Sequence, residues 1–178
     1  KNKYINCHQV EKYNDFVNDS LNTDFSAGKL VLRVKHSKLN FAPLGNALGV
    51  KNSSFPLLGI NPGASYGSAK RWYPQEFAKV ASELSSQYDI VIFGGPGEKD
   101  IATDIERSLI EEGVNNYQNL AGDTTIPELI EQISSLDLFI TGDSGPMHVA
   151  AAFQVPTVAI FGPTKDDETS QWMNEKSI

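Results

Sequence analysis

The sequence predicts an α/β fold: a Rossmann-like, doubly wound parallel sheet, with an N-terminal helix left from a preceding domain. Three observations carry that expectation. From Phe55 onward, short apolar runs alternate with amphipathic helical patterns. Most of those runs are apolar without interruption, which marks strands covered on both faces, and right-handed crossovers then put helices on both sides of the sheet. Each glycine-rich or polar loop follows a strand, so all such loops fall on the carboxyl rim, where open α/β sheets bind ligands.

Within residues 1–21, Tyr13, Phe16, Val17 and Leu21 recur at helical spacing. This stretch reads as the tail of a preceding domain. Leu30-Val31-Leu32 is a short strand-like run. Residues 40–54, with Pro43, Gly45 and Gly49, read as a linker. The expected division is a remnant and linker over 1–54 and a Rossmann-like domain over 55–178. The chain opens at Lys1 and stops at Ile178 soon after a loop, so it reads as a portion of a longer protein.

Leu57–Ile60 is the first expected strand, followed by a long loop, Asn61–Tyr73. Pro74–Gln87 is a helix with Pro74 in its first turn and Phe77, Val80, Ala81 and Leu84 along its apolar stripe. Tyr88–Phe93 is a second strand and Gly94–Gly97 a turn. Glu98–Glu112 is a helix with Ile101, Ile105 and Leu109 on one face, stopped by Gly113. Asn116–Leu120 is a short extended piece. Thr125 and Glu128 form a capping box for a helix to about Leu136. Leu138–Ile140 and Thr157–Phe161 are the remaining strands, with a helix from Pro146 to Ala152 between them.

Composition narrows the function. Of 178 residues, 40% are hydrophobic and 21% charged, which fits a globular domain and not disorder. The net charge of −7 argues against non-specific nucleic-acid binding, which needs a basic face. The single cysteine, Cys7, excludes an internal disulfide framework and fits a reducing compartment. No apolar run reaches the roughly 18 residues of a spanning helix, and no signal peptide or internal repeat stands out.

The stretch Asp137–Ala152 organises the rest. It runs from buried strand through a small polar loop, Thr141-Gly142-Asp143-Ser144-Gly145, into a helix whose first turn holds Pro146. A helix start presents unpaired N–H groups and the positive end of a dipole, and small residues let an anion reach them. This turn is expected to hold a diphosphate. Asp143 could cap the helix or accept from sugar hydroxyls. His148, one turn on, could face the cleft or the core. A Ser144–His148–Asp143 hydrolase is disfavoured, because Gly142-Asp143-Ser144-Gly145 lacks the G-x-S-x-G spacing.

The loop Asn61–Trp72 is the second informative stretch. It is small and flexible through Gly63 and Ala64, then cationic at Lys70 and Arg71, then aromatic at Trp72. Lys70 supplies a mobile point charge suited to phosphate. Arg71 supplies a planar fork, but adjacent residues on an extended loop point apart, so it stands equally as a surface residue. Trp72 reads as structural. The loop Gly94-Gly95-Pro96-Gly97-Glu98 fails as a dinucleotide fingerprint, since Asp100 stands where a third glycine belongs. It can still line a site. Glu98 either complements the next helix's dipole or accepts from ribose hydroxyls. Cys7, His8, His36 and His148 lack metal-ligand spacing, and no Asp-x-Asp pair exists to carry a diphosphate-bridging magnesium ion. No metal and no cofactor are expected. Lys70 and helix N-termini would have to balance a diphosphate's charge.

In order along the chain, Asn61-Pro62-Gly63-Ala64, Ala69-Lys70-Arg71-Trp72, Phe93-Gly94-Gly95, Asn119-Leu120-Ala121-Gly122, Asp143–Ala151 and Phe161-Gly162-Pro163-Thr164 resemble the ADP-heptose:lipopolysaccharide heptosyltransferases of glycosyltransferase family 9, type II above all. The resemblance covers roughly Phe55–Trp172. His8–Tyr13 is similar to the helix that ends the family's first domain. Two departures stand out: Tyr73 intervenes before Pro74, and the chain stops before the family's final helices.

The resemblance implies one half of a GT-B enzyme, the C-terminal, nucleotide-sugar-binding domain. It implies an inverting transfer of heptose from ADP-heptose to the lipopolysaccharide inner core, at the cytoplasmic face of an inner membrane, with the general base in the absent N-terminal domain. It implies that Lys70 meets the donor phosphates and Asp143 the heptose, the two residues assigned to catalysis. Glu98 would meet the ribose, Leu120, Ala121 and Gly122 the adenine side, and Ser144, Gly145, Pro146 and Met147 the diphosphate. Gly63, Ala64, Arg71, Gly94 and His148 complete the expected donor site. The fragment alone is expected to bind ADP and not to turn over. The alternatives are another GT-B transferase or a nucleotide-sugar epimerase, a non-catalytic nucleotide-binding or assembly module, and an NAD-dependent dehydrogenase.

Overall fold

In the computed structural model, which describes residues 7–33, 55–63 and 70–178, five parallel strands pair in the order β3-β2-β1-β4-β5. The elements run α1 (Gln9–Leu21), β1 (Leu57–Asn61), α2 (Pro74–Leu84), β2 (Asp89–Ile92), α3 (Lys99–Glu111), β3 (Tyr117–Asn119), α4 (Ile126–Ser134), β4 (Leu138–Gly142), α5 (Gly145–Ala152), β5 (Thr157–Ile160) and α6 (Asp166–Thr169). The doubly wound, Rossmann-like expectation is met.

Strand alternation divides the core. Leu58, Ile60, Ile90, Ile92 and Ile140 point to one face, where Phe77, Ala78 and Ala81 of α2 and Ala102, Ile105 and Leu109 of α3 close over them. Val91, Phe93 and Phe139 point to the other, against Ile133 of α4 and Ala150 of α5. Phe93 and Phe139 meet edge to face at 6.2 Å. Gly59 is required here: a Cβ would stand 2.9 Å from Phe139, 3.0 Å from Phe93 and in collision with Leu136.

The helix starts follow local chemistry. Thr125 and Glu128 form the expected capping box on α4, with the Thr125 amide donating to Glu128 Oε2 at 2.5 Å. His8 and Glu11 form another on α1. Gly113, at φ +78°, ends α3 as expected. The chain order reverses between β1 and β4, so the carboxyl ends of these neighbours form the switch point.

Some boundaries differ. β4 continues through Thr141 and Gly142, both buried, because pairing with β5 carries the ladder past the apolar run. α2 stops at Leu84, where Ser85 caps back to Ser82. Leu30-Val31-Leu32 is not a strand. Val31 is 71% exposed, and the outer edge of β5 is taken by the chain end, through a parallel Thr157–Ser177 bridge and an Ala159 amide donating to Ile178 O at 3.0 Å. Residues 40–54 and Ala64 lie outside the described residues. α1 is tied to the C-terminal segment: His8 stacks on Trp172 at 4.6 Å and meets Ser170 O at 3.1 Å, while Lys12 pairs with Glu168. Among the described residues, no helix is long and apolar enough to cross a membrane.

Candidate functional site

Three rim loops meet at the switch point around a cleft of about 410 Å³. Asn61 and Gly63 enter from the end of β1, Gly94, Gly95, Pro96 and Glu98 from the end of β2, and Ser144, Gly145 and Pro146 from the end of β4. Thr124, Thr125, Ile126 and Leu129, around the start of α4, form the far wall. A hollow of about 600 Å³ follows α3 and the edge strand β3 and contains none of the candidate residues.

Glu98 joins two of these loops. Its Oε2 accepts from the Gly95 amide at 2.6 Å, which curls Pro96–Glu98 into a single 3-10 turn. The same carboxylate lies over Gly63, where any Cβ would collide with it. Gly63 is thus the hole that admits the Glu98 carboxylate to the cleft.

Lys70 comes to the site from the other side of the Asn61–Tyr73 loop. A Cβ placed on Gly142 would be 3.6 Å from the Lys70 carbonyl and 3.9 Å from that of Gly63, so both ends of the loop return to the tip of β4. From there Lys70 Nζ reaches Asp143 Oδ2 at 2.8 Å. Asp143 is 8% exposed in this pair and Lys70 28%, so the charges are only partly screened. Lys70, Asp143, Met147 and His148, like Arg71 and Trp72, are not among the residues that line the cleft; Trp72 packs edge-on against Phe77 at 5.2 Å, the structural role expected of it.

At the start of α5, Ser144 holds the N-cap position in extended backbone. Pro146 has no N–H, and Met147 is fully buried, so neither Pro146 as a donor nor the Met147 side chain can serve an anion. Among the described residues, the Ser144 and Gly145 amides have no backbone acceptor. His148 is half-buried beside Asp143. Burial pushes its imidazole below the ordinary value; the Asp143 carboxylate pulls it up, and His8 pushes it further down.

Leu120 and Ala121 do not line the cleft, although the segment abuts it: the Gly122 amide donates to Gly94 O at 2.8 Å, and a Cβ on Gly94 would stand 3.1 Å from that of Ala121. Leu120 packs against the α4–α5 core and Ala121 is buried in the other one. Gly122, at φ +75°, lies over the Lys99 side chain. Sequence reading missed Asn61 and Thr124–Leu129. The signals were present: a polar residue closing an apolar strand, and a capping box directly after a rim loop. No group of three or more His, Cys, Asp and Glu side chains gathers among the described residues.

Comparison with known proteins shows the family and the fold. Residues 1–178 match the family described as glycosyltransferase family 9 (heptosyltransferase). The chain is 46% identical over 180 residues to lipooligosaccharide heptosyltransferase 2 of Campylobacter jejuni serotype O:2, covering 99% of this chain and 53% of that protein. It superposes on the structure of Escherichia coli ADP-heptose lipopolysaccharide heptosyltransferase II with a TM-score of 0.75 at 30% identity, over 89% of this chain and 47% of that one. A family 9 glycosyltransferase of Veillonella parvula shares the fold, with a TM-score of 0.77 at 24% identity over 97% of this chain and 48% of that one. The chain spans about half the length of the relatives it matches. On the match over residues 1–178, this chain belongs to glycosyltransferase family 9, the heptosyltransferases.

Proposed function

We propose that this chain is the nucleotide-sugar-binding half of an inverting heptosyltransferase, taking ADP-heptose as donor and lipopolysaccharide inner core as acceptor. The observation that carries the proposal is the Lys70–Asp143 ion pair at the tip of β4, beside the open start of α5 and the cleft. A cation and backbone dipoles meet there, at the topological switch point, where a doubly wound sheet receives nucleotides.

The diphosphate lies at the Ser144–Gly145 amides, with Lys70 turning from Asp143 to a phosphate oxygen. Asp143, released, accepts from sugar hydroxyls. Glu98, already at the cleft wall, accepts from the ribose. Thr125, Ile126 and Leu129 flank the base in place of Leu120 and Ala121. As the sugar departs, negative charge grows on the ADP leaving group. A lysine and fixed N–H dipoles aimed at that charge stabilise the transition state more than the ground state. The lysine and the helix start balance the diphosphate without a metal. Inversion needs a base on the opposite face of the sugar. That base is assigned to a second Rossmann-like half beyond these 178 residues, which also holds most of the acceptor site. The acceptor places the work at the cytoplasmic face of an inner membrane.

Calorimetric titration of the chain with ADP, UDP, GDP and NAD tests the reading. ADP is expected to bind most tightly. A preference for UDP, or no nucleotide binding at all, overturns it.

A further inference from the structure

Asp143 and His148 stand on either side of the start of α5. Ser144 is the N-cap, so Asp143 is the residue before it and His148 the fourth after it. Side chains at those two positions meet across a helix start, where other helices carry a hydrophobic staple. Here both can carry charge. Asp143 is 8% exposed and His148 is half-buried. Among the described residues neither nitrogen of the His148 ring has a hydrogen-bond partner, and the Asp143 carboxylate draws a proton to that ring.

Lys70 stands in the way of that proton. Its ammonium holds Asp143 Oδ2 at 2.8 Å, so the charge of the carboxylate is already balanced. Burial and His8 act in the same direction as Lys70. His8 does not compete for the proton. Its Nδ1 accepts from the Val10 amide at 3.1 Å while its Nε2 meets Ser170 O at 3.1 Å, so one of its nitrogens stays bare. Of the other elements packed on α5, β4 and β5 carry no charge, and α4 brings Glu128 and Glu131, neither of which acts on the His148 imidazole. The balance changes when a diphosphate takes Lys70. A nearly buried carboxylate then loses its cation, and a buried charge is costly unless another partner replaces the first. His148 is the titratable group already in place.

We propose that His148 is a positioning residue: as the donor's diphosphate draws Lys70 away, His148 takes up a proton and becomes the cation that holds the Asp143 carboxylate in place for the sugar. This rests on the ADP-binding reading above. The proton comes from the buffer to the imidazole, and no other bond is made or broken. His148 acts on the sugar only through Asp143. ADP binding is thereby linked to proton uptake, and affinity rises as pH falls towards the ordinary imidazole range, about 6.5.

The test is calorimetric titration of ADP at about pH 6.5 in two buffers of different ionisation enthalpy, which counts the protons taken up per ADP. The unmutated chain is compared with His148→Gln and Asp143→Asn, so that protons of ADP's own terminal phosphate cancel. The unmutated chain should take up about half a proton more than either variant, as the imidazole passes from mostly neutral to mostly charged. Its ADP affinity relative to His148→Gln should rise about three- to tenfold from about pH 8 to about pH 6, the effect of moving one imidazole by up to about one pH unit. A merely structural histidine changes affinity alike at every pH, and equal proton counts in the unmutated chain and His148→Gln overturn the inference. A surplus that survives in Asp143→Asn also overturns it, since the carboxylate would not then hold the proton. His148→Asn repeats the comparison should the glutamine variant fail to fold. Failure of the unmutated chain to bind ADP at any pH overturns the parent reading instead, so the two failures are distinct.

Discussion

Lys70 and Asp143 stand 73 positions apart in the chain and meet at 2.8 Å at the tip of β4, with the carboxylate nearly buried. Each is the other's partner. A diphosphate arriving at α5 must therefore compete with Asp143 for the lysine, and the sugar gains Asp143 only when the phosphate wins.

That competition predicts opposite responses to one substitution. Asp143→Asn removes a negative charge beside the anion site and releases Lys70. ADP should bind about two- to fivefold more tightly, the scale of a partly exposed ion pair. ADP-heptose should show no such gain, because the acceptor for its sugar hydroxyls is weakened. Parallel calorimetric titrations with the two ligands check this.

Gly63→Ala should separate binding from stability. The added methyl falls on the Glu98 carboxylate, the mobile end of a side chain, and not on backbone. Glu98 can swing away, losing its bond to the Gly95 amide. The melting temperature should shift by only a few degrees, a loss of about 1 kcal/mol. ADP affinity should fall by more, about tenfold, through the lost ribose acceptor.

Gly59→Ala should do the reverse. Its Cβ would enter the packed contact of Leu136, Phe139 and Phe93, all on the α4–α5 side of the sheet. Overpacking of this kind costs about 1–3 kcal/mol. Denaturant unfolding should show that loss, with ADP affinity of the folded fraction retained.

His148 ties stability to pH. Its imidazole titrates below the ordinary value, chiefly through burial, with Asp143 opposing and His8 reinforcing. The unfolded chain then binds more protons than the folded one as pH falls through the ordinary imidazole range, about 6.5. The stabilising contribution is complete above that range and is lost as pH drops through it. His148→Gln should flatten the stability profile between about pH 7 and pH 5, measured by denaturant unfolding at each pH.

Much of this was legible in the residues. Uninterrupted apolar runs at Leu57–Ile60 and Leu138–Ile140 identify parallel strands, and the topology that follows from the sequence puts Gly63, Glu98 and Ser144 on one rim, as observed. Other features were not legible, for physical reasons. Strand β4 outruns its apolar stretch because neighbours on both sides pair with it, and pairing is a tertiary fact. Leu30-Val31-Leu32 has strand composition, but the C-terminal residues hold the edge beside β5. Leu120 and Ala121 follow a strand as a site residue should, yet their side chains turn into the two cores and Thr124–Leu129 take the cleft wall. The contact of Asn61 with Ser144 needed the partner strand, since the register with Thr141 brings its amide there.

The central claim is that the rim loops carrying Lys70 and Ser144 serve a single diphosphate. Calorimetric titration of ADP into the unmutated chain and into Lys70→Ala tests it most directly. One ADP per chain is expected, with affinity at least about tenfold weaker in the variant, as for a lost charge-assisted contact. Equal affinity in the two proteins, or no binding to the unmutated chain, contradicts the account.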